Sequence, residues 1–161
     1  MIRPVQDTDL SSIIDIYNYY IRETTVSFEE QEISEKELDH RIHKVKSEGL
    51  PWLVAEKGRK LIGYAYATKW KERSAYRYSV EISVYIDQSS QGQGWGTKLS
   101  QALFTELQKL DIHLVIGGIT LPNNASIALH EKFGMEKVAH FKEVGFKFGE
   151  WRDVEYWQMK L

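Results

Sequence analysis

The run Gln91-Gly92-Gln93-Gly94-Trp95-Gly96-Thr97 places glycine at every second position between two segments of different period. Before it, Val80 to Ile86 is rich in β-branched and aromatic residues. After it, Leu99, Ala102, Leu103, Leu107 and Leu110 recur at helical spacing. A strand that turns into a helix through such a loop exposes backbone with no side chains in the way. The helix start also aims its unpaired amides at the same space, a ready cradle for a phosphate. The same loop would equally let strand and helix pack closely with no ligand. Two phosphate motifs fail on spacing. A P-loop needs Gly-Lys-Ser/Thr, and this chain has Gly96-Thr97-Lys98. A dinucleotide fingerprint needs its third glycine three positions after the second and opens the first βαβ unit. Here the third glycine follows after two, behind about 80 residues of other structure.

The rest of the chain alternates between the two periods. Leu10, Ile13, Ile14, Tyr17 and Ile21 mark a first helix, with Asp7-Thr8-Asp9 supplying oxygens to cap its free amides. Ser34 and Glu37 form a capping box for a second, with Leu38, Ile42 and Val45 on one stripe before Gly49 and Pro51. Trp52–Glu56 and Leu61–Thr68 predict a hairpin around Lys57-Gly58-Arg59-Lys60. Tyr78–Ile86 and His113–Thr120 read as further strands, and a short helix runs from Asn124 to Phe133 before Gly134. Val138–Phe146 and Val154–Lys160 complete six expected strands. The expected fold class is α/β (α+β), a mixed sheet covered by about four helices in a single domain over 1–161.

Composition removes several functions. With a net charge of −2 among 161 residues there is no broad cationic surface for nucleic acid or anionic lipid. No window approaches the roughly 18 apolar residues that span a bilayer, and Met1-Ile2-Arg3-Pro4 opens no apolar leader, so the expected location is cytoplasmic. Zero cysteines exclude a disulfide framework, a thiol nucleophile and a cysteine-ligated metal. His40 and His43 sit three apart without a third ligand near them in sequence, and they read as a solvated helix face; no metal is expected.

The pattern Gln-x-x-Gly-x-Gly at Gln91, Gly94 and Gly96, followed by Asn123-Asn124-Ala125-Ser126 and Gly134-Met135, resembles the GNAT N-acetyltransferases. Met135 stands where that family's second motif ends in phenylalanine, and His130 stands where a tyrosine is common. Pro51–Glu56, Ala65-Tyr66-Ala67, Trp70–Arg73, Val84-Tyr85 and Gly145-Phe146-Lys147-x-Gly149-x-Trp151-x-Asp153 are similar to the phosphinothricin and methionine sulfoximine/sulfone acetyltransferases within it. The resemblance implies the GNAT fold and acetyl-CoA as cosubstrate. Its pyrophosphate would lie over Gln91, Gly92, Gln93, Gly94, Trp95, Gly96 and Thr97, its pantetheine along Val84, Tyr85 and Ile86, with Asn123 and Ser126 beside it. The loop has no Arg or Lys of its own between Gln91 and Thr97, so amides and the helix dipole must carry the binding.

Acetyl transfer to an amine needs a neutral nucleophile, a polarised thioester carbonyl and a proton for the departing thiolate. Glu81, among apolar and small neighbours, is the expected base, at the position where the resemblance puts the catalytic carboxylate; otherwise it is an exposed polar position on an alternating strand. His130 is expected to protonate the thiolate or order a water, or to be structural. Lys71 and Arg73 offer positive charge to an acceptor's acidic oxygens, with Tyr76 on the same segment and Phe28 resembling the family's substrate-side aromatic. The expected partner is a small amino-acid-like amine. The alternatives are a protein or peptide acetyltransferase and a noncatalytic coenzyme A sensor. Trp151, Tyr156 and Trp157 near the end of the chain carry more aromatic surface than one strand pair covers, and related acetyltransferases are commonly dimeric, so a homodimer is expected.

Overall fold

The computed structural model describes residues 1–161. In chain order the elements are β1 (Ile2–Pro4), α1 (Leu10–Glu23), α2 (Glu35–Ser47), β2 (Trp52–Lys57), β3 (Lys60–Lys69), β4 (Ser79–Ile86), α3 (Trp95–Gln108), β5 (Leu114–Thr120), α4 (Asn124–Lys132), β6 (Glu136–Lys147) and β7 (Glu150–Lys160). The seven strands form one sheet in the order β1-β2-β3-β4-β5-β7-β6, and the only parallel neighbours are β4 and β5. A parallel pair needs a crossover, which α3 supplies. No helix is long and apolar enough to cross a membrane.

The two faces of the sheet follow from the alternation of side chains along each strand. Tyr85 meets Tyr17 and Tyr20 of α1 edge-on, with ring centroids 5.3 and 5.2 Å apart, which puts α1 and its neighbour α2 on one face. Gly63 lies under Ile86 and Leu99, which puts α3 on the other. Phe104 of α3 packs edge-on against Phe133 at 5.0 Å, and this contact holds α4 beside α3. Leu99, Leu103 and Leu107 are fully buried as their spacing predicts, whereas Leu110, read on the same stripe, lies past the end of α3 and is exposed.

One local reading changes. The expected oxygens of Asp7-Thr8-Asp9 do not cap α1; the three residues form a single 3₁₀ turn. The Asp9 carboxylate instead accepts from the Gln6 amide and takes both arms of the Arg3 guanidinium at 2.8 Å. That ion pair ties β1, a strand too short to show a period, to the start of α1, while backbone pairing and the contact of Arg3 with Glu56 at 2.5 Å hold it beside β2. By contrast, Ser34 caps α2 as its motif predicts, accepting from the Glu37 amide at 3.1 Å.

Candidate active site

The parallel pairing of β4 and β5 lasts for three residues, Ser79↔Leu114, Val80↔Val115 and Glu81↔Ile116, and then stops. Both strands continue, β4 to Ile86 and β5 to Thr120, each still paired on its other side. The sheet is therefore split from Glu81 onward, and the split opens into a cavity of about 930 Å³ that reaches both faces. Val84, Tyr85 and Ile86 line it, as do Gly118 across the gap, Gln91 to Phe104 in part, and Asn123 to Met135 on the α3–α4 side. On the α1 side its walls are Tyr19, Tyr20, Glu23 to Val26, Phe148 and Arg152.

The glycine loop forms the floor of this cavity. Gly92 and Gly94 adopt φ of +72° and +80°, and nothing lies within 4 Å of where a side chain would begin on either. Gly94 is the residue before α3, and no side chain caps that helix, so its first amides are left facing the cavity. A Cβ on Gly96 would meet only Leu129, at 3.6 Å. This open backbone at a helix start fits the pyrophosphate of acetyl-CoA. Of the expected cofactor residues, Gln93 alone lies off the cavity lining; its amide oxygen accepts from Lys57 at 3.3 Å. Gln91 spends its side chain on Tyr20, donating to the phenol at 2.9 Å, while that phenol donates to the Ile86 carbonyl at 2.5 Å. Asn123 caps α4 by accepting from the Ser126 amide. The cation that the loop lacks comes from elsewhere. Lys132, at the end of α4, reaches Thr97 at 3.5 Å and lines the cavity. Sequence reasoning missed it because 35 residues separate the two positions.

Glu81 is the last paired residue before the split. Its carboxylate lies on the α1 face, close to where a Cβ on Gly118 would sit, a point 3.7 Å from Glu81 Oε2 and 3.2 Å from the Tyr156 ring. Burial pushes its pKa up, and only the charge of Lys71 works the other way. A carboxylate held without a hydrogen-bonded cation and reluctant to ionise is suited to accept a proton. His130 sits on the opposite face. Its Nδ1 lies 2.6 Å from the Ser126 carbonyl, and its ring occupies the space a side chain on Gly117 would fill, with Nε2 2.4 Å from that point. Because a carbonyl can only accept, Nδ1 carries the proton and Nε2 the lone pair. Burial lowers the pKa and keeps the ring neutral.

The acceptor residues divide. Phe28 lies against the β6 backbone at Gly145, 2.3 Å from where a Cβ would stand. Lys71 rests over the Trp70 ring at 5.0 Å, Trp70 meets Tyr156 edge-on at 5.4 Å, and Tyr156 adjoins Glu81, so Lys71 lies on the Glu81 side of the sheet. Arg73 lies before and Tyr76 on the turn Ser74–Tyr76, and all four expected acceptor residues, like Glu81, fall outside the cavity lining itself. Arg152, which sequence reasoning missed, does line the cavity. The three aromatics expected at the surface also separate. Trp157 is buried and donates to Glu155, Tyr156 faces Trp70, and Trp151 alone is freely exposed, at 63%.

A split mixed sheet with a glycine loop at the start of α3 defines a class of acyl-CoA-dependent transferase. Residues 2–156 match the family described as acetyltransferase (GNAT) domain, and the chain belongs to that family. It is 42% identical to a phosphinothricin N-acetyltransferase of Alcaligenes faecalis over 161 residues, 99% of this chain and 82% of that protein. It is 33% identical to an L-methionine sulfoximine/L-methionine sulfone acetyltransferase of Salmonella typhimurium, covering 99% of this chain and 94% of the relative. A GNAT phosphinothricin acetyltransferase from Sinorhizobium meliloti, solved in complex with acetyl-CoA, superposes with a TM-score of 0.97 at 34% identity, over 100% of this chain and 88% of that one.

Proposed function

We propose that this acetyltransferase transfers the acetyl group of acetyl-CoA directly to the α-amine of a small amino acid or analogue of the phosphinothricin and methionine sulfoximine/sulfone kind. The observation that carries the reading is the position of Glu81, a carboxylate with a burial-raised pKa at the last paired residue before the sheet splits, beside Gly118 of the cavity lining. Acetyl-CoA supplies an activated thioester when bound, and the amides of Gly94 to Thr97 with Lys132 hold its phosphates. Glu81 takes the ammonium proton, directly or through a water, and leaves a nucleophilic amine. His130, neutral with its lone pair on Nε2, acts as an acceptor that relays a proton or holds a water rather than as a standing acid. Lys71 and Arg152 place positive charge on the acceptor side, where a carboxylate or phosphinate oxygen would rest. Turnover of acetyl-CoA against free amino acids, these analogues and short peptides, read as released thiol, tests the reading. Free amino-acid analogues turning over well supports it, and activity confined to peptides overturns it.

We further propose a homodimer through the outer hairpin. Phe141, Val144, Phe146, Phe148 and Trp151 are all at least half exposed on the β6–β7 end of the sheet, where β6 is an unpaired edge. An apolar edge strand of this kind is an association surface unless something covers it.

A further inference from the structure

The segment Gly145-Phe146-Lys147-x-Gly149-x-Trp151-x-Asp153 supplies no side chain to the acid-base chemistry, yet it carries the most deeply buried charge in the molecule. Lys147 is 2% exposed. Its Nζ donates to the carbonyls of Ile21 at 2.8 Å and Ser27 at 2.7 Å, groups 126 and 120 residues away. The first carbonyl is in the last turns of α1 and the second is in the loop that follows. Between them runs Thr24 to Val26, which lines the cavity on the α1 side, and after Lys147 come Phe148 and, beyond the hairpin turn, Arg152, which line the same side. The neighbouring residues of the segment serve the same junction. Gly145 leaves room for the Phe28 ring, whose Cε2 and Cζ stand 2.3 and 2.5 Å from a Cβ position there. Phe148 and Gly149 take φ of +53° and +73° to turn the hairpin. Asp153 accepts from the Glu143 amide at 2.8 Å, where the chain bulges before Gly145. Tyr17 and the Glu29 amide meet at the Ser27 hydroxyl and brace the loop from the other side.

We propose that Lys147 is a positioning residue for the acceptor, buckling the loop after α1 to the β6–β7 hairpin so that the two segments that line this side of the cavity hold one spacing. An ordinary core position would be filled at lower cost by leucine or methionine, since burying an ammonium costs free energy that its two carbonyl partners, the Phe148 ring and the charges of Glu29 and Glu30 must offset. What the lysine adds over an apolar side chain is a fixed register between two backbone segments distant in sequence. Tyr20 links α1 to the glycine loop, but no hydrogen bond joins residues 21–27 to that loop, so loss of the lysine acts on the acceptor and spares the cofactor.

This inference rests on the acceptor reading above, and its test separates the two. Lys147→Met is expected to raise the KM for phosphinothricin or methionine sulfone about tenfold, with the KM for acetyl-CoA within about twofold of wild type, and to speed hydrogen exchange of the amides of residues 22–28. Lys147→Arg, which keeps two donors, should recover part of the acceptor KM. Gly145→Ala, which must push the Phe28 ring from its seat while keeping the lysine, should give the same split and serves if Lys147→Met does not fold. A folded Lys147→Met or Gly145→Ala enzyme with wild-type KM values for both substrates and unchanged exchange at 22–28 would overturn the proposal, even if its melting temperature fell. The exchange measurement needs no turnover, so a chain inactive on small amines would sink the acceptor reading and leave the buckle to be judged by exchange alone.

Discussion

At Glu81 activity and stability pull in opposite directions. Burial raises its folded-state pKa, so its favourable contribution to stability is complete only below the ordinary glutamate pKa of about 4.3 and is lost as pH rises through the raised value. Glu81→Gln should therefore melt higher than wild type at pH 7, with the gap closing on acidification to about pH 4. The same variant should lose about 10²-fold in kcat, with acetyl-CoA binding retained, and the loss should deepen toward lower pH where neutral amine is scarce. Thermal melts at two pH values and a pH–rate profile check both halves. Wild-type rates across the profile would remove Glu81 from the mechanism. Asp9 shows the opposite sign. The Arg3 guanidinium holds its pKa below the usual carboxylate range, so its contribution is present above the ordinary aspartate pKa and lost as pH falls through the lowered one. Asp9→Asn leaves Arg3 without its bidentate partner and should cost about 2–3 kcal/mol in denaturant unfolding at pH 7, with kinetic constants unchanged.

The element that matters most is the junction of β4, the glycine loop and α3, and its glycines are not equivalent. Gly94 sits at φ +80°, so any substitution there strains the backbone, and a loss of cofactor binding would not distinguish obstruction from distortion. Gly96 lies within the first turn of α3 at ordinary helical geometry, and an added methyl would make only normal contact with Leu129. Gly96→Ala is thus the clean probe. It should fold as well as wild type or slightly better, because alanine favours a helix over glycine by up to about 1 kcal/mol. It should also weaken acetyl-CoA binding by roughly tenfold if the pyrophosphate lies against this backbone. Isothermal titration with coenzyme A on the folded variant decides it, and unchanged affinity would move the phosphates elsewhere.

For the whole molecule, the outer hairpin predicts association. Trp151 and Phe146 stack edge-on at 4.9 Å on a face that no other part of the chain covers. Light scattering at micromolar concentration should give twice the chain mass of 18.8 kDa, and Trp151→Glu should return it to that of one chain. A single-chain mass for the wild-type protein would count against the dimer.

Local order was legible in the residues themselves. The helical stripe of Leu99, Leu103 and Leu107, the Ser34 cap and the glycine spacing all act over a few neighbouring positions, where period and capping chemistry suffice to say what the chain does. The candidate base Glu81 stood out too, as a lone carboxylate in an apolar strand, but its place at the end of the pairing did not. What needed the tertiary structure was every relation across distance. The split after Glu81↔Ile116 arises because two strands part, and neither strand's sequence records the event. Lys132 beside Thr97, Arg152 in the cavity wall, and the ranking of Trp151, Tyr156 and Trp157 by exposure all depend on which elements pack together. The 3-residue strand β1 was silent because it is shorter than two periods, and it exists through pairing with β2 and the ion pairs of Arg3 rather than through its own pattern. Periodicity encodes which face of an element is apolar, whereas the partner that covers that face is chosen by the packing of the whole chain.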